Sequence, residues 1–162
     1  MLRRTLIAAT LVTGILGATT ATAQDMDPVS QATFDTVMAF MGAMGSGDMD
    51  TMVSLMAEDM VWHNEGDEDM PWIGPWEGKE EILEFLPIFG ANFQVTEWQN
   101  EDAFALGDTV AVFGKMNGTL TNSGEESGEF TFALRAKVED GQVVLWNWFE
   151  DSYAVSKAYH GE

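Results

Sequence analysis

The sequence contains no cysteine and little positive charge. Disulfides and a cysteine-linked lipid anchor are therefore excluded, and a zinc site would have only His63 and His160 besides carboxylates. Of the seven Lys and Arg residues, Arg3 and Arg4 precede an apolar N-terminal run, and five face 27 acids in the remainder. The resulting formal charge of −22 repels nucleic acid and anionic lipid, so neither is expected as a partner.

Long apolar runs are also scarce, and the one at the N-terminus is typical of an export signal. The basic start is followed by an uncharged apolar stretch over residues 5–18 and by Ala21-Thr22-Ala23. This pattern predicts a signal peptide over residues 1–23, with cleavage after Ala23. The run is short for a bilayer span, and no later stretch is longer. We therefore expect a periplasmic or secreted protein without membrane insertion after cleavage.

Several chemical signatures are missing as well. The sequence has no GxSxG, no phosphate-binding glycine loop and no dinucleotide fingerprint. The acid-rich stretch HNEGDED, residues 63–69, lacks the alternating ligands and the glycine of a calcium loop, and is interpreted as a solvated loop. No cofactor and no metal is expected.

The remainder of the chain changes from helical periodicity to an alternation of two. Apolar spacing predicts helices over residues 29–44, from Asp48 or Asp50 to 57, and over 78–89. A short strand at 60–64 and an acidic, Pro/Gly-containing loop at 65–76 separate the last two helices. Beyond Gly90 the pattern predicts strands at 94–102, 109–120, 129–138 and 142–150. Helices followed by consecutive strands are typical of an α+β domain, with the helices on one face of a curved sheet.

Four stretches in this order resemble a known family. They are GSGDMDTMVSLMAEDMVWHN (45–64), PWIGPWEGKEEILEFL (71–86), LGDTVAVFGKMNGTLTNSGE (106–125) and VEDGQVVLWNWFEDSYAV (138–155). They are similar to the SnoaL-like branch of the nuclear-transport-factor-2-like superfamily, whose relatives include ketosteroid isomerases, polyketide cyclases and scytalone dehydratases. The resemblance implies a SnoaL-like domain over residues 24–162. Its expected shape is a cone, with a strongly curved antiparallel sheet wrapped around three helices and an apolar cavity. Since the fold hosts many chemistries, it does not define an activity.

The catalytic positions of these relatives hold unsuitable side chains here. The ketosteroid-isomerase positions correspond to Phe40, Asn64 and Leu134, which cannot supply a hydroxyl donor, a general base and a protonated acid. The Asp–Arg–Asp set of epoxide hydrolases would require Arg135, which strand alternation directs away from the cavity. Scytalone-dehydratase chemistry would need inward histidines and tyrosines, and His63 is out of phase with Asn64. Whether the protein is an enzyme stays open.

An aromatic pocket is nevertheless predicted from strand alternation and from the resemblance. On the last strand Trp146, Trp148 and Glu150 share one face. The expected pocket residues are Trp62, Trp72, Trp76, Phe130, Phe132, Leu134, Trp146 and Trp148. Such walls suit a flat or hydrophobic small molecule. The alternative is that the tryptophans fill the cone and leave no cavity.

Glu150 distinguishes these two interpretations. A carboxylate on an aromatic inner face would be desolvated, with a raised pKa suited to a general acid or base. At the rim it would simply be hydrated. Asn64 is a candidate for orienting a substrate, and His63 is the remaining titratable candidate. The predicted function is an exported domain that binds a small hydrophobic molecule; the alternative is a cofactor-free isomerase, cyclase, dehydratase or hydrolase using Glu150.

The opposite face of the sheet is more apolar than a hydrated surface requires. Phe113, Leu145 and Phe149 occupy outward positions by alternation. The sequence therefore favours a homodimer formed through the convex face.

Overall fold

The computed structural model describes residues 26–162, which contain four helices and six strands. The helices are α1 (Pro28–Ser46), α2 (Met49–Ser54), α3 (Gly78–Asn92) and α4 (Ser152–His160). The strands are β1 (Met56–Asn64), β2 (Gly74–Glu77), β3 (Phe93–Leu106), β4 (Thr109–Leu120), β5 (Phe130–Glu139) and β6 (Gln142–Glu150). The predicted signal peptide, residues 1–23, lies outside this range. None of the helices within it is long and apolar enough to cross a membrane.

The strands form one curved sheet in the order β2-β1-β6-β5-β4-β3. This confirms the predicted α+β class with a bent sheet around helices. The sheet is not antiparallel throughout, because β1 and β6 are parallel. Their register sets Trp62 beside Trp146, and Asn64 beside Trp148. The parallel pair brings the tryptophans of β1 and β6 together in the interior of the sheet, away from its edge strands.

The first helix has clear start and stop signals. The Asp27 side chain accepts hydrogen bonds from the backbone N–H groups of Val29 (2.9 Å) and Ser30 (3.2 Å), and Pro28 occupies the first turn. The helix ends at Gly47, whose φ of 73° is the left-handed conformation that favours glycine. α2 ends at Ser54, three residues before the predicted end, because Met56 already pairs with Val143 in the sheet.

Glycines on the inner face of β4 allow the sheet to bend closely over its own aromatic side chains. A Cβ atom at Gly118 would lie 2.3 Å from the Phe93 ring, and one at Gly114 would lie 2.7 Å from the Phe132 ring. β3 follows this bend with two register shifts against β4, between Val95 and Glu97 and between Asn100 and Asp102. Such irregularities increase local twist and bending. The concave side encloses the core, where α1 and α3 pack against the sheet.

Two elements, β2 and α4, were not predicted, and β1 and β3 are longer than the predicted 60–64 and 94–102. The loop expected at 65–76 ends in β2, an edge strand that pairs with β1 and contains Pro75. The C-terminal segment, for which no helix was predicted, forms helix α4. Val155 is fully buried, and Ser123 Oγ donates to the Ala158 carbonyl at 2.7 Å. His160 is the last residue of this helix.

Candidate functional site

A cavity of about 650 Å³ lies between α1, α3 and the concave face of the sheet. This volume falls within the range of small-molecule pockets. Most of its walls are apolar. The lining residues are Met38, Met41, Gly42, Met44, Gly45, Trp62, Asn64, Trp72, Ile73, Phe85, Leu86, Phe89, Phe93, Val95, Trp98, Asn100, Met116, Trp146, Trp148, Glu150 and Val155. The tryptophans therefore do not fill the cone, and a cavity remains.

The orientation of two cavity tryptophans is fixed by a polar side chain two positions further along the same strand. Trp62 Nε1 donates to Asn64 Oδ1 at 2.9 Å, and Trp148 Nε1 donates to Glu150 Oε2 at 2.8 Å. Residues i and i+2 of a strand share a face, so each indole lies alongside its acceptor. These hydrogen bonds satisfy the buried indole N–H groups and restrict ring rotation.

A third tryptophan repeats this arrangement on the edge strand. Trp98 Nε1 donates to Asn100 Oδ1 at 2.8 Å, and its ring packs 5.4 Å from Trp148 and 5.2 Å from Phe132. Phe132 is itself stacked on Trp148, with centroids 4.5 Å apart and planes at 20°. We call the three Trp-to-i+2 hydrogen bonds the indole clamps. They hold two aromatic groups, one around Trp62 and Trp146 and the other formed by Trp98, Phe132 and Trp148.

Glu150 is half-buried at the end of β6. Its Oε2 accepts the Trp148 hydrogen bond, whereas Oε1 is buried without a hydrogen-bond partner. Burial raises the pKa of Glu150 to about 7, the Trp148 hydrogen bond opposes this shift, and the negative charge of Asp151 adds to it. No described Lys or Arg forms an ion pair with Glu150. Near neutral pH the carboxyl is therefore present in both protonated and ionised forms, as general acid–base chemistry requires.

Asn64 lines the cavity, and its side-chain amide makes two hydrogen bonds within the protein. Its Oδ1 accepts from Trp62, and its Nδ2 donates to the Trp72 backbone carbonyl at 2.8 Å. The side chain is buried, and both of its polar atoms are engaged within the protein. Asn64 thus fixes the Trp62 ring and the loop that carries Trp72, and positions the cavity wall.

Comparison with known proteins defines the family. The SnoaL-like domain model matches residues 37–146, about two thirds of the chain. The chain belongs to the SnoaL-like domain family. No curated protein gives a significant match to it. Glu150 lies four residues beyond the matched stretch, so the family match does not itself assign a role to this carboxyl.

Solved structures share the fold of this SnoaL-like domain. An NTF2-like protein from Burkholderia xenovorans LB400 is 22% identical with a TM-score of 0.73, over 80% of this chain and 97% of that chain. A candidate SnoaL-like polyketide cyclase from Jannaschia sp. CCS1 is also 22% identical, with a TM-score of 0.70 over 86% and 99%. TerC, co-crystallised with polyporic acid, is 18% identical with a TM-score of 0.69 over 80% and 98%.

Several expected pocket residues of the SnoaL-like domain lie behind the cavity wall. Phe130, Phe132 and Leu134 point inward and are buried, but they do not line the cavity. Phe132 is stacked on Trp148, and Trp148 is the one that lines the cavity. The prediction included Phe132 because alternation gives the face of the strand on which a side chain lies, but not its depth below the surface. Trp76 packs 5.3 Å from Phe85 and donates to the Trp72 carbonyl at 3.4 Å, also outside the cavity lining.

The other candidates are also placed by the structure. His63 faces outward, with Nδ1 3.5 Å from a Glu65 carboxylate oxygen, and does not reach the cavity. Phe40 is buried against Trp146 with centroids 5.0 Å apart, and offers no polar group. Among the described residues, Glu150 is the one titratable side chain in the cavity lining.

Sequence reasoning missed the side of the cavity formed by α1 and β3. Met38, Met41 and Met44 from α1 line it, as do Trp98 and Asn100 from β3. A signal for the last two was available, because WQN at 98–100 repeats the spacing of WHN at 62–64. The register shifts in β3 concealed it, since they break the alternation on which the prediction relied.

One cluster outside the cavity brings possible metal ligands together. Ligand atoms of Asp67, Asp69 and His160 lie within 4.8 Å of one another. Asp67 Oδ2 already accepts from Ser156 Oγ at 2.5 Å and lies 3.1 Å from His160 Nε2. The Ser156 hydrogen bond, the Asp69 backbone N–H and His160 keep the pKa of Asp67 below its usual value. This cluster anchors α4 to the 65–73 loop.

Proposed function

We propose that this SnoaL-like domain binds a small, largely apolar organic molecule in the aromatic cavity. The observation that carries the proposal is the cavity itself. Hydrogen bonds hold the indoles of Trp62 and Trp148 in the cavity wall, so that these rings do not fill the space between the helices and the sheet. TerC, which shares the fold, was crystallised with an organic ligand.

The charge of the site favours a neutral ligand. No Lys, Arg or His lines the cavity within the described residues, and Glu150 is the only ionisable group in its wall. The chain carries a strong excess of acids over bases. An anion would enter against this field and would meet no counter-charge. A neutral ring system fits these largely apolar walls.

A second candidate function is catalysis of proton transfer by Glu150. The observation that favours it is that Glu150 lies in the cavity wall with a pKa of about 7. Its Oε2 atom accepts a hydrogen bond from Trp148, and its Oε1 atom has no hydrogen-bond partner. The protonated form would donate to a ligand oxygen, and the ionised form would accept a proton from an activated carbon. Isomerisation, cyclisation, dehydration or hydrolysis without a cofactor would follow from such transfer.

Ligand binding is tested by fluorescence titration with N-phenyl-1-naphthylamine and 1-naphthol, two neutral aromatic probes. We expect both to bind, and Trp148→Ala to weaken binding by about tenfold or more, because a large part of the wall is removed. Tyr153→Ala is the matched control, since Tyr153 is an exposed aromatic residue outside the cavity. If neither probe binds the unmodified protein, the binding proposal fails.

Proton transfer is tested separately by nuclear magnetic resonance. We expect the protein to accelerate exchange of the α-hydrogens of 2-tetralone with D2O, and Glu150→Gln to abolish the acceleration while probe affinity is retained. Glu139→Gln removes an exposed carboxylate from the opposite end of the β5–β6 hairpin and serves as the control. Equal exchange with Glu150→Gln would refute the role of Glu150.

We also propose export to the periplasm or beyond the cell, on the basis of the signal-peptide pattern over residues 1–23. Mass spectrometry of the exported protein should give an N-terminus at Gln24. An intact Met1 on the mature protein would contradict this proposal.

We propose a homodimer through the convex face of the sheet, because this face exposes apolar side chains and carries positive charge. Phe113, Ala133 and Phe149 lie directly across from one another on three adjacent strands, with both phenylalanines exposed. Lys115 and Arg135 project from the same face by alternation. This surface therefore combines exposed apolar side chains with positive charge, and both favour contact with a second acidic copy. Light scattering should show a dimer, which Phe149→Glu should weaken; a monomeric unmodified protein would refute it.

A further inference from the structure

Two glycines of α1 line the cavity without any packing reason for being glycine. Gly42 and Gly45 are three residues apart on the helix, beside Met38 and Met41. A Cβ atom added at either position would meet no heavy atom within 4 Å. The glycines of β4 differ sharply, since a Cβ at Gly118 would collide with Phe93.

Backbone conformation does not require glycine at these positions either. Neither Gly42 nor Gly45 has a positive φ, whereas Gly47, which ends the helix, does. Glycine is among the poorest helix formers, because it loses the most backbone freedom on folding and packs no side chain. Two glycines inside α1 therefore weaken the helix, and neither a close contact nor a turn compensates for this in the fold.

The two glycines lie where the cavity opens to solvent. Both are exposed and yet belong to its lining. Val95 and Trp98, which are lining residues of β3, are also partly exposed, at 42% and 38%. The opening of the cavity is therefore bordered on one side by the α1 backbone at Gly42 and Gly45, and on the other by β3, which contributes the indole of Trp98. A side chain at residue 42 or 45 would project into the open space.

We propose that Gly42 and Gly45 determine the size of ligand that the cavity admits, by leaving room for a broad ring system against the α1 backbone. The inference rests on the proposed binding function. The cavity does not depend on the glycines for its existence, since most of its wall is formed by residues of the sheet and of α3. Methionines on either side of Gly42 provide flexible contacts around the edge of such a ligand.

The test compares Gly42→Ala and Gly45→Ala with Gly90→Ala. Gly90 is an exposed glycine of α3 that lies outside the cavity lining, and a Cβ there also meets nothing within 4 Å. Alanine favours helix at all three positions, so none of these variants should have a lower melting temperature. Any loss of binding is then separated from a loss of folding.

The readout is the affinity for two neutral probes of different size. At the α1 positions we expect alanine to weaken the binding of N-phenyl-1-naphthylamine, the larger probe, by about tenfold. The binding of 1-naphthol should weaken by less than about twofold, because the added methyl group obstructs only the larger ring system. Gly90→Ala should leave both affinities unchanged. If the unmodified protein binds both probes and the α1 variants bind them equally well, the inference is refuted while the binding function stands. If the unmodified protein binds neither probe, the binding function fails and the inference fails with it.

Discussion

Replacement of Glu150 by glutamine should change how the stability of the protein depends on pH. Burial raises the pKa of Glu150 from 4.5 to about 7 in the folded state. Between these values the folded protein binds more protons than the unfolded chain, so stability falls as pH rises. The shift of roughly 2.5 units corresponds to at most about 3 kcal/mol, with the full penalty reached above pH 7. Because part of the Glu150 side chain is accessible to solvent, this figure is an upper limit.

Urea unfolding at pH 5 and pH 8 measures this effect. Glutamine does not ionise, so the variant avoids the loss of stability that the unmodified protein suffers as the pH rises. The difference in free energy of unfolding, variant minus unmodified protein, should therefore be larger at pH 8 than at pH 5 by about 1 to 3 kcal/mol. Comparison across pH is essential, because the amide also changes hydrogen bonding around Trp148 by an amount that is independent of pH. The control is Glu139→Gln, which removes one exposed carboxylate from the same hairpin.

The result that would refute this reasoning is a constant difference in stability between Glu150→Gln and the unmodified protein at pH 5 and pH 8. It would mean that the carboxyl of Glu150 is hydrated in the folded state, as expected from the sequence if this residue lies at the rim of the cavity. A gain equal to that of Glu139→Gln would have the same meaning, since general relief of negative charge would then explain it.

Three further substitutions test the fold around the site by urea unfolding at pH 7. Asp27→Ala removes the N-cap of α1 and should lower the free energy of unfolding by about 1 kcal/mol; no change would mean that the cap contributes nothing. Gly118→Ala places a methyl 2.3 Å from the Phe93 ring and should cost about 1 to 3 kcal/mol, in contrast to the stabilising Gly90→Ala. Asn64→Leu leaves the Trp62 N–H without its acceptor and should cost about 1 to 3 kcal/mol, and an unaltered stability would contradict the clamp.

The sequence predicted the sheet strands well because their side chains alternate cleanly. β4 and β6 begin and end where the pattern placed them, and the inward side of β6 carries Trp146, Trp148 and Glu150. Alternation is a local property that follows from strand geometry, so a single sequence is sufficient to show it. The family resemblance then supplied the curved sheet that alternation alone does not give.

The features that were not predicted depend on contacts between distant parts of the chain. The parallel pairing of β1 with β6 joins residues more than 80 positions apart, and no local pattern encodes it. Helix α4 is only nine residues long, too short for periodicity to identify it, and forms because Val155 and Ala158 are buried. Phe132 was assigned to the correct face but lies beneath Trp148, and side-chain depth is determined by tertiary packing.

The indole clamps explain how a cavity persists in a domain so rich in large apolar side chains. An unrestrained indole beside an empty space would gain dispersion contacts by rotating into it, and several such movements would close the space. At Trp62 and Trp148, whose rings are buried, rotation would break the hydrogen bond to the i+2 side chain and leave a buried polar atom without a partner. The clamp on Trp148 has a second effect, because its acceptor is Glu150. The hydrogen bond that keeps the wall open also fixes one carboxyl oxygen, so the rigidity of the cavity and the position of its single titratable group have the same structural origin.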